Sequence, residues 1–132
     1  MRNGLSTALR IWWRRGNEKP GQVALVPFPR VDLTPGKPRP VLLLARVPGP
    51  YDDWLVGMFS TQLHQEVRGF DEVIEADASD FEQSGLKTPS VVRVARLAVV
   101  SDEMLLGCIG AIGEERLSRI QDKLVNWIRS AG

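Results

Sequence analysis

The 132-residue chain has 43% hydrophobic and 25% charged residues and a net charge of +1, the make-up of one globular domain able to bury a core. No apolar run approaches the ~18 residues of a membrane span. The start, MRNGLSTALRIWWRRG, has its apolar positions interrupted by Arg10, Arg14 and Arg15, unlike a signal-peptide core, so the expectation is a soluble cytoplasmic protein. Cys108 is alone, which excludes an intrachain disulfide and a multi-cysteine zinc site.

Leu5, Ala8, Leu9 and Trp12 recur at helical spacing, which predicts a short amphipathic helix ending before Gly16. GQVALVP reads as a first strand, stopped by Pro27 and Pro29. A loop containing PGKPRP leads into VLLLAR, a second strand whose unbroken apolar run implies burial on both faces. WLVGMFS is a third strand, ending at the polar STQLHQE. EVIEA alternates as a strand, and SDFEQSG looks like one helical turn. PSVVRVARLAVV is the longest β-rich segment, and MLLGCIGAIG, with interior glycines, reads as a final strand in a tightly curved sheet. GEERLSRIQDKLVNWIRSAG is a helix with Glu114 and Glu115 at its positive end and a stripe of Leu117, Ile120, Leu124 and Ile128. Short strands with turn signals and a lone C-terminal helix predict a mainly β protein, a small, strongly bent antiparallel barrel.

Charge is segregated along the chain. Residues 1–50 hold nine Lys/Arg against two acids, and the remainder holds eight against fourteen, many of them between Glu66 and Glu82. Such asymmetry points to a polyanion or an acidic peptide at the basic end, or to two solvated faces with no partner. The basic segment has a particular stiffness. Pro38 and Pro40 flank Arg39 with fixed φ, and Pro40 biases Arg39 itself toward extended backbone, so the cation loses little entropy on meeting a phosphate.

The order GQVALVPFP, a basic loop ending in RP, an aliphatic strand, then FSTQ, resembles the MazF/PemK family of toxin–antitoxin ribonucleases. GLKTPSVVRVARL, IGAIGEERL and the terminal helix continue the pattern in order, over about residues 20–128. Residues 1–19 are then an N-terminal extension and 20–132 the family domain. The resemblance implies an SH3-like barrel that forms a homodimer and an activity that needs no metal; no other cofactor and no membrane partner are expected. It also implies cleavage of single-stranded RNA to 2′,3′-cyclic phosphate and 5′-OH ends, and a cognate antitoxin peptide or protein as partner. The family's catalytic arginine falls on Arg39, and its hydroxyl residue on Ser60 or the adjacent Thr61. Arg93 matches the family's arginine in the VVR segment. The aspartate that accompanies it there is Ala95 in this chain, which leaves the general base unassigned.

Phosphoryl transfer gathers charge on non-bridging oxygens, and a guanidinium can grip two of them at once. A hydroxyl from Ser60 or Thr61 can donate to the same phosphate, and His64, the only histidine, is the candidate to deprotonate a 2′-OH. Asp52, Asp53 and Glu66 are the other candidate bases. Lys37, Gln62, His64 and Arg93 are candidate RNA contacts. Arg93 and Arg96 are expected on opposite sides of their strand, one lining the groove and the other pairing with the acidic segment. Trp12 and Trp13 are candidate base-stacking residues, while Trp54 and Trp127 read as core or dimer contacts. The competing reading is a barrel of this family that binds RNA or protein without cutting. Gyrase inhibition, the role of a related barrel, needs a tryptophan at the extreme C-terminus, and Trp127 stands short of it.

Overall fold

The structure, a computed structural model, describes residues 16–27 and 37–131. The strands are β1 (Gln22–Pro27), β2 (Pro38–Arg46), β3 (Asp53–Ser60), β4 (Glu72–Ile74), β5 (Ser90–Ser101) and β6 (Gly107–Ala111). They pair antiparallel in the order β4-β5-β3-β2-β1-β6. The helices are a one-turn α1 (Phe81–Ser84) and a long C-terminal α2 (Glu114–Ser130). Register shifts at Val23/Ala24, Leu43/Ala45 and Gly57/Met58 bend the sheet, which curls into a half-barrel. This is the mainly β, bent antiparallel fold with a C-terminal helix that the strand pattern predicts. The predicted N-terminal helix, with Trp12 and Trp13, lies outside the described residues.

Both faces of the sheet are covered. Leu42 and Leu44 of β2 join Val23, Val92, Val94 and Ile74 in one cluster, closed by Ile120 and Leu124 of α2. Val41 and Leu43, pointing the other way, join Ala24, Val26, Trp54 and Val56 in a second. The VLLL run is therefore buried from both sides, as its lack of alternation requires. At β6, a side chain on Gly110 would collide with the backbone of Gln83 and Ser84, so glycine is what lets α1 press against the sheet. Cys108 is buried beside it, and burial pushes its thiol pKa up to about 12, which leaves it unreactive.

Two expectations are corrected. The Pro38–Arg39–Pro40 step is not in a loop. It forms the first residues of β2, with Pro40 opposite Leu25 and Arg39 opposite Val26. β2 pairs with β1 from Pro38 but with β3 only from Val41, so the prolines fall where a missing N–H need not break a ladder. In α2, Leu117, Ile120 and Leu124 do face the core, but Ile128 is 63% exposed. The sheet offers no cover beyond Leu124, and only Trp127 reaches back, meeting Phe70 edge-to-face at 5.9 Å. Trp54 is a core residue.

Polar contacts fasten the helix. Arg116, Arg119 and Lys123 lie on one face of α2 and converge on Glu72 at 3.0, 3.1 and 2.8 Å. Arg116 also grips Asp80 with two nitrogens, Nε and Nη2. Asp80 Oδ2 in turn accepts from the backbone of Gly113, the residue that opens α2.

At the other end of the sheet, Glu18 is buried against Asp102, with Gly16 N and Arg46 on its Oε1. Arg46 also lies over the Trp54 ring, 4.8 Å from its centroid. Burial, then the facing Asp102 carboxyl, raises the Glu18 pKa. A carboxyl harder to ionise when folded binds its proton more tightly in the native state. Its contribution is complete below the ordinary carboxylate value and is lost as pH rises through the raised one. Glu18→Gln, which needs no ionisation, is expected to melt above the wild type at about pH 8 and level with it near pH 4. Thermal unfolding at the two pH values checks this.

Candidate nucleic-acid interface

β3 brings the proposed residues together. Its even-numbered side chains, Trp54, Val56 and Met58, run along the face of the second cluster and end at Ser60. On one side, the β2–β3 ladder ends at Val41 opposite Met58, and Arg39, two residues before Val41, shares the face of Val41 by strand alternation. On the other side, Arg93 of β5 is directly opposite Met58. By strand alternation Arg39, Ser60 and Arg93 therefore belong to one face of three adjacent strands. The apolar cluster stops at Met58, so this end of the face is polar. Arg39 is exposed and, among the described residues, makes no hydrogen bond or ion pair.

Arg93 is held from behind. Its Nε lies 3.3 Å from Oδ2 of Asp71, whose side chain is 2% exposed. Asp71 also accepts from Val67 N and Val94 N, at 2.9 Å each. With the Arg93 cation and two backbone N–H groups on its buried carboxylate, Asp71 anchors Arg93 from behind. In front, Arg93 Nη1 donates to Gln65 Oε1 at 3.0 Å. Ser60 Oγ donates to the same oxygen, also at 3.0 Å, and accepts from Gln62 N at 3.0 Å. Gln65 ends the 3₁₀ turn Leu63–Gln65, which folds back over the end of β3.

The other nominated residues divide. Lys37 immediately precedes β2 and is exposed, while Pro35 and Gly36 of its loop lie outside the described residues. Thr61 and Gln62 are exposed just past β3, and His64 is exposed on the 3₁₀ turn next to Gln65. Among the described residues, no hydrogen bond or ion pair ties His64 to Arg39 or Ser60. Asp52 and Asp53 are at the opposite end of β3, about 23 Å away by strand rise, where Asp52 pairs with Arg46 at 3.2 Å. Glu66 follows the 3₁₀ turn as its C-cap. Ala95 is exposed on β5 in the stretch where its register with β3 shifts. Arg93, not Arg96, is the arginine that pairs with the acidic segment, through Asp71. Sequence reasoning missed Gln65 and Asp71. The available signal was the acidic segment expected to meet one of the two arginines.

A hollow of about 240 Å³ is lined by Asp80, Gln83, Glu115 and Arg116 at the start of α2 and shares no residue with this face. Among the described residues no three His, Cys, Asp or Glu side chains gather as metal ligands, and no helix is long and apolar enough to cross a membrane.

A curled six-stranded antiparallel sheet with a C-terminal helix is a small half-barrel of the MazF type. Residues 19–128 match the family model described as the PemK-like, MazF-like toxin of type II toxin–antitoxin systems, and the chain belongs to that family. Among solved structures, it is similar to the Mycobacterium tuberculosis toxin MazF-mt6, with 21% identity and a TM-score of 0.57 over 82% of this chain and 96% of that one. The comparison with curated proteins gives no match.

Proposed function

We propose that this chain is an endoribonuclease toxin that cuts single-stranded RNA in the cytoplasm as a homodimer, and that its antitoxin lays an acidic segment across the same face. The observation that carries the reading is the convergence of Arg39, Ser60 and Arg93 on one face, with Arg93 already clamped in place. In the reaction, the ribose 2′-oxygen bonds to the adjacent phosphorus and the bond to the 5′-oxygen breaks. The 2′-proton must be taken up and the 5′-oxygen must receive one. Arg39 and Arg93, from opposite sides, stabilise the charge that builds on the non-bridging oxygens. Ser60 has its single proton committed to Gln65, so its remaining lone pair accepts from the 2′-OH and orients it, while exposed Thr61 keeps a hydroxyl to donate.

The wild type is expected to cut an unstructured RNA in EDTA, leaving cyclic phosphate and 5′-OH ends. Intact RNA under those conditions overturns the reading. A non-cutting, RNA-binding member of the family is the second reading, favoured by Ala95 and by the absence of any carboxylate or imidazole held against Ser60 among the described residues. Binding without products in the same assay supports it.

A further inference from the structure

Gln65 is exposed, so packing does not explain its position, yet its oxygen is shared by two of the residues on the proposed face. The orientation of its amide follows from its neighbours. Arg93 Nη1 can only donate, so the Gln65 atom 3.0 Å from it must be the carbonyl oxygen. Ser60 Oγ, 3.0 Å from that same oxygen, must then be a donor as well. Both lone pairs of Oε1 are used. The amide nitrogen, turned the other way, keeps two N–H donors that meet no acceptor among the described residues. A group with only donors left, beside the Arg93 guanidinium, is suited to an acceptor oxygen.

We propose that Gln65 is a positioning and RNA-reading residue: its carbonyl oxygen holds Ser60 and Arg93 in mutual register, and its amide N–H groups bind an acceptor oxygen of the RNA. The proposal rests on the ribonuclease reading for its function, but the geometry it starts from does not. A second tie comes from the chain itself. Gln62 N donates to Ser60 Oγ and Gln62 O accepts from Gln65 N at 2.9 Å, so the same turn that presents Gln65 also fixes Ser60. Behind Arg93, Asp71 holds the guanidinium at Nε, and Gln65 holds it at Nη1. Rotation of the guanidinium is therefore opposed at two points, which preorganises it for a phosphate.

Two substitutions separate the oxygen from the nitrogen. Gln65→Leu removes both and leaves a shorter apolar side chain. Gln65→Glu keeps an oxygen that can accept from Ser60 and Arg93 and removes the donors. With a random-sequence unstructured RNA pool, Gln65→Leu is expected to lower kcat by about 10- to 100-fold with an unchanged melting temperature. Gln65→Glu is expected to hold kcat within about 3-fold and to raise KM, because the donor is lost and a charge faces the phosphates. A KM increase confined to some cut sequences puts the acceptor on a base, and a uniform increase puts it on phosphate. Wild-type kcat and KM in Gln65→Leu overturn the proposal, as does a kcat loss that Gln65→Glu shares in full.

Should the wild type itself leave the RNA intact, the ribonuclease reading falls and the positioning claim is decided by NMR. The two Arg93 Nη groups are expected to exchange at least about 10-fold faster in Gln65→Leu than in the wild type, and equal exchange overturns the claim.

Discussion

Arg39→Ala is expected to lower the single-turnover rate of RNA cleavage by about 10²- to 10³-fold, the usual cost of removing a donor aimed at developing charge. Melting temperature is expected to stay where it is, because Arg39 is exposed and bonds to nothing among the described residues. The two effects together distinguish a loss of chemistry from a loss of fold. Arg39→Lys is expected to recover only part of the rate, since an ammonium is a point charge that cannot grip two oxygens. Arg93→Ala contrasts with both. It would strip the cation from the buried Asp71 carboxylate, and so reduce stability and cleavage together. An unchanged rate in Arg39→Ala would put the reaction somewhere other than the end of β3.

The second large effect concerns the fold rather than the chemistry. Glu72→Ala is expected to destabilise the protein by about 3 kcal/mol, because Arg116, Arg119 and Lys123 lose a shared partner where the first of these is only 12% exposed. Urea unfolding at neutral pH measures it, and a change under about 0.5 kcal/mol would show that the network is as dispensable as an ordinary surface pair. The pH dependence has a sign opposite to that at Glu18. Burial opposes ionisation of Glu72, but Arg119 and Lys123 outweigh it and hold its pKa below the ordinary value. At Asp80, Arg116 has the largest effect, again downward. Carboxyls with lowered pKa values contribute stability above the ordinary carboxylate range, and that contribution is lost as pH falls through the lowered values. Acid should therefore loosen α2 from β4 and α1, and Glu72→Ala should flatten the acid limb of the stability curve.

These predictions divide the molecule into a rigid frame and a small polar face. The network of Glu72 and Asp80 sets the place of α2 over one face of the sheet, through side chains from β4 and from just before α1. The proposed site is on the other face, at the end of β3, and depends on a 3₁₀ turn of three residues. Substitutions in the frame are expected to change stability first, whereas Arg39 and Gln65, both exposed, can be changed without that penalty.

The strands were legible because their signals are local. QVALVP, WLVGMFS and SVVRVARLAVVS have the β-rich composition and the bounding turn residues that mark strands whatever they pair with. VLLL declared burial on both faces, since a strand with one wet face would alternate. The proline-flanked Arg39 could likewise be singled out, because proline restricts its neighbours through covalent geometry alone. What a local signal cannot carry is which residues end up facing one another. The place of Arg39 within β2, rather than in a loop, depended on where β3 begins to pair. That the carboxylate behind Arg93 comes from Asp71 and not from position 95, that one oxygen of Gln65 serves both Ser60 and Arg93, and that Ile128 falls past the sheet were decided by contacts between segments far apart in the chain. Such contacts arise only when the sheet curls and sets its register, and register belongs to pairs of strands, not to either strand by itself.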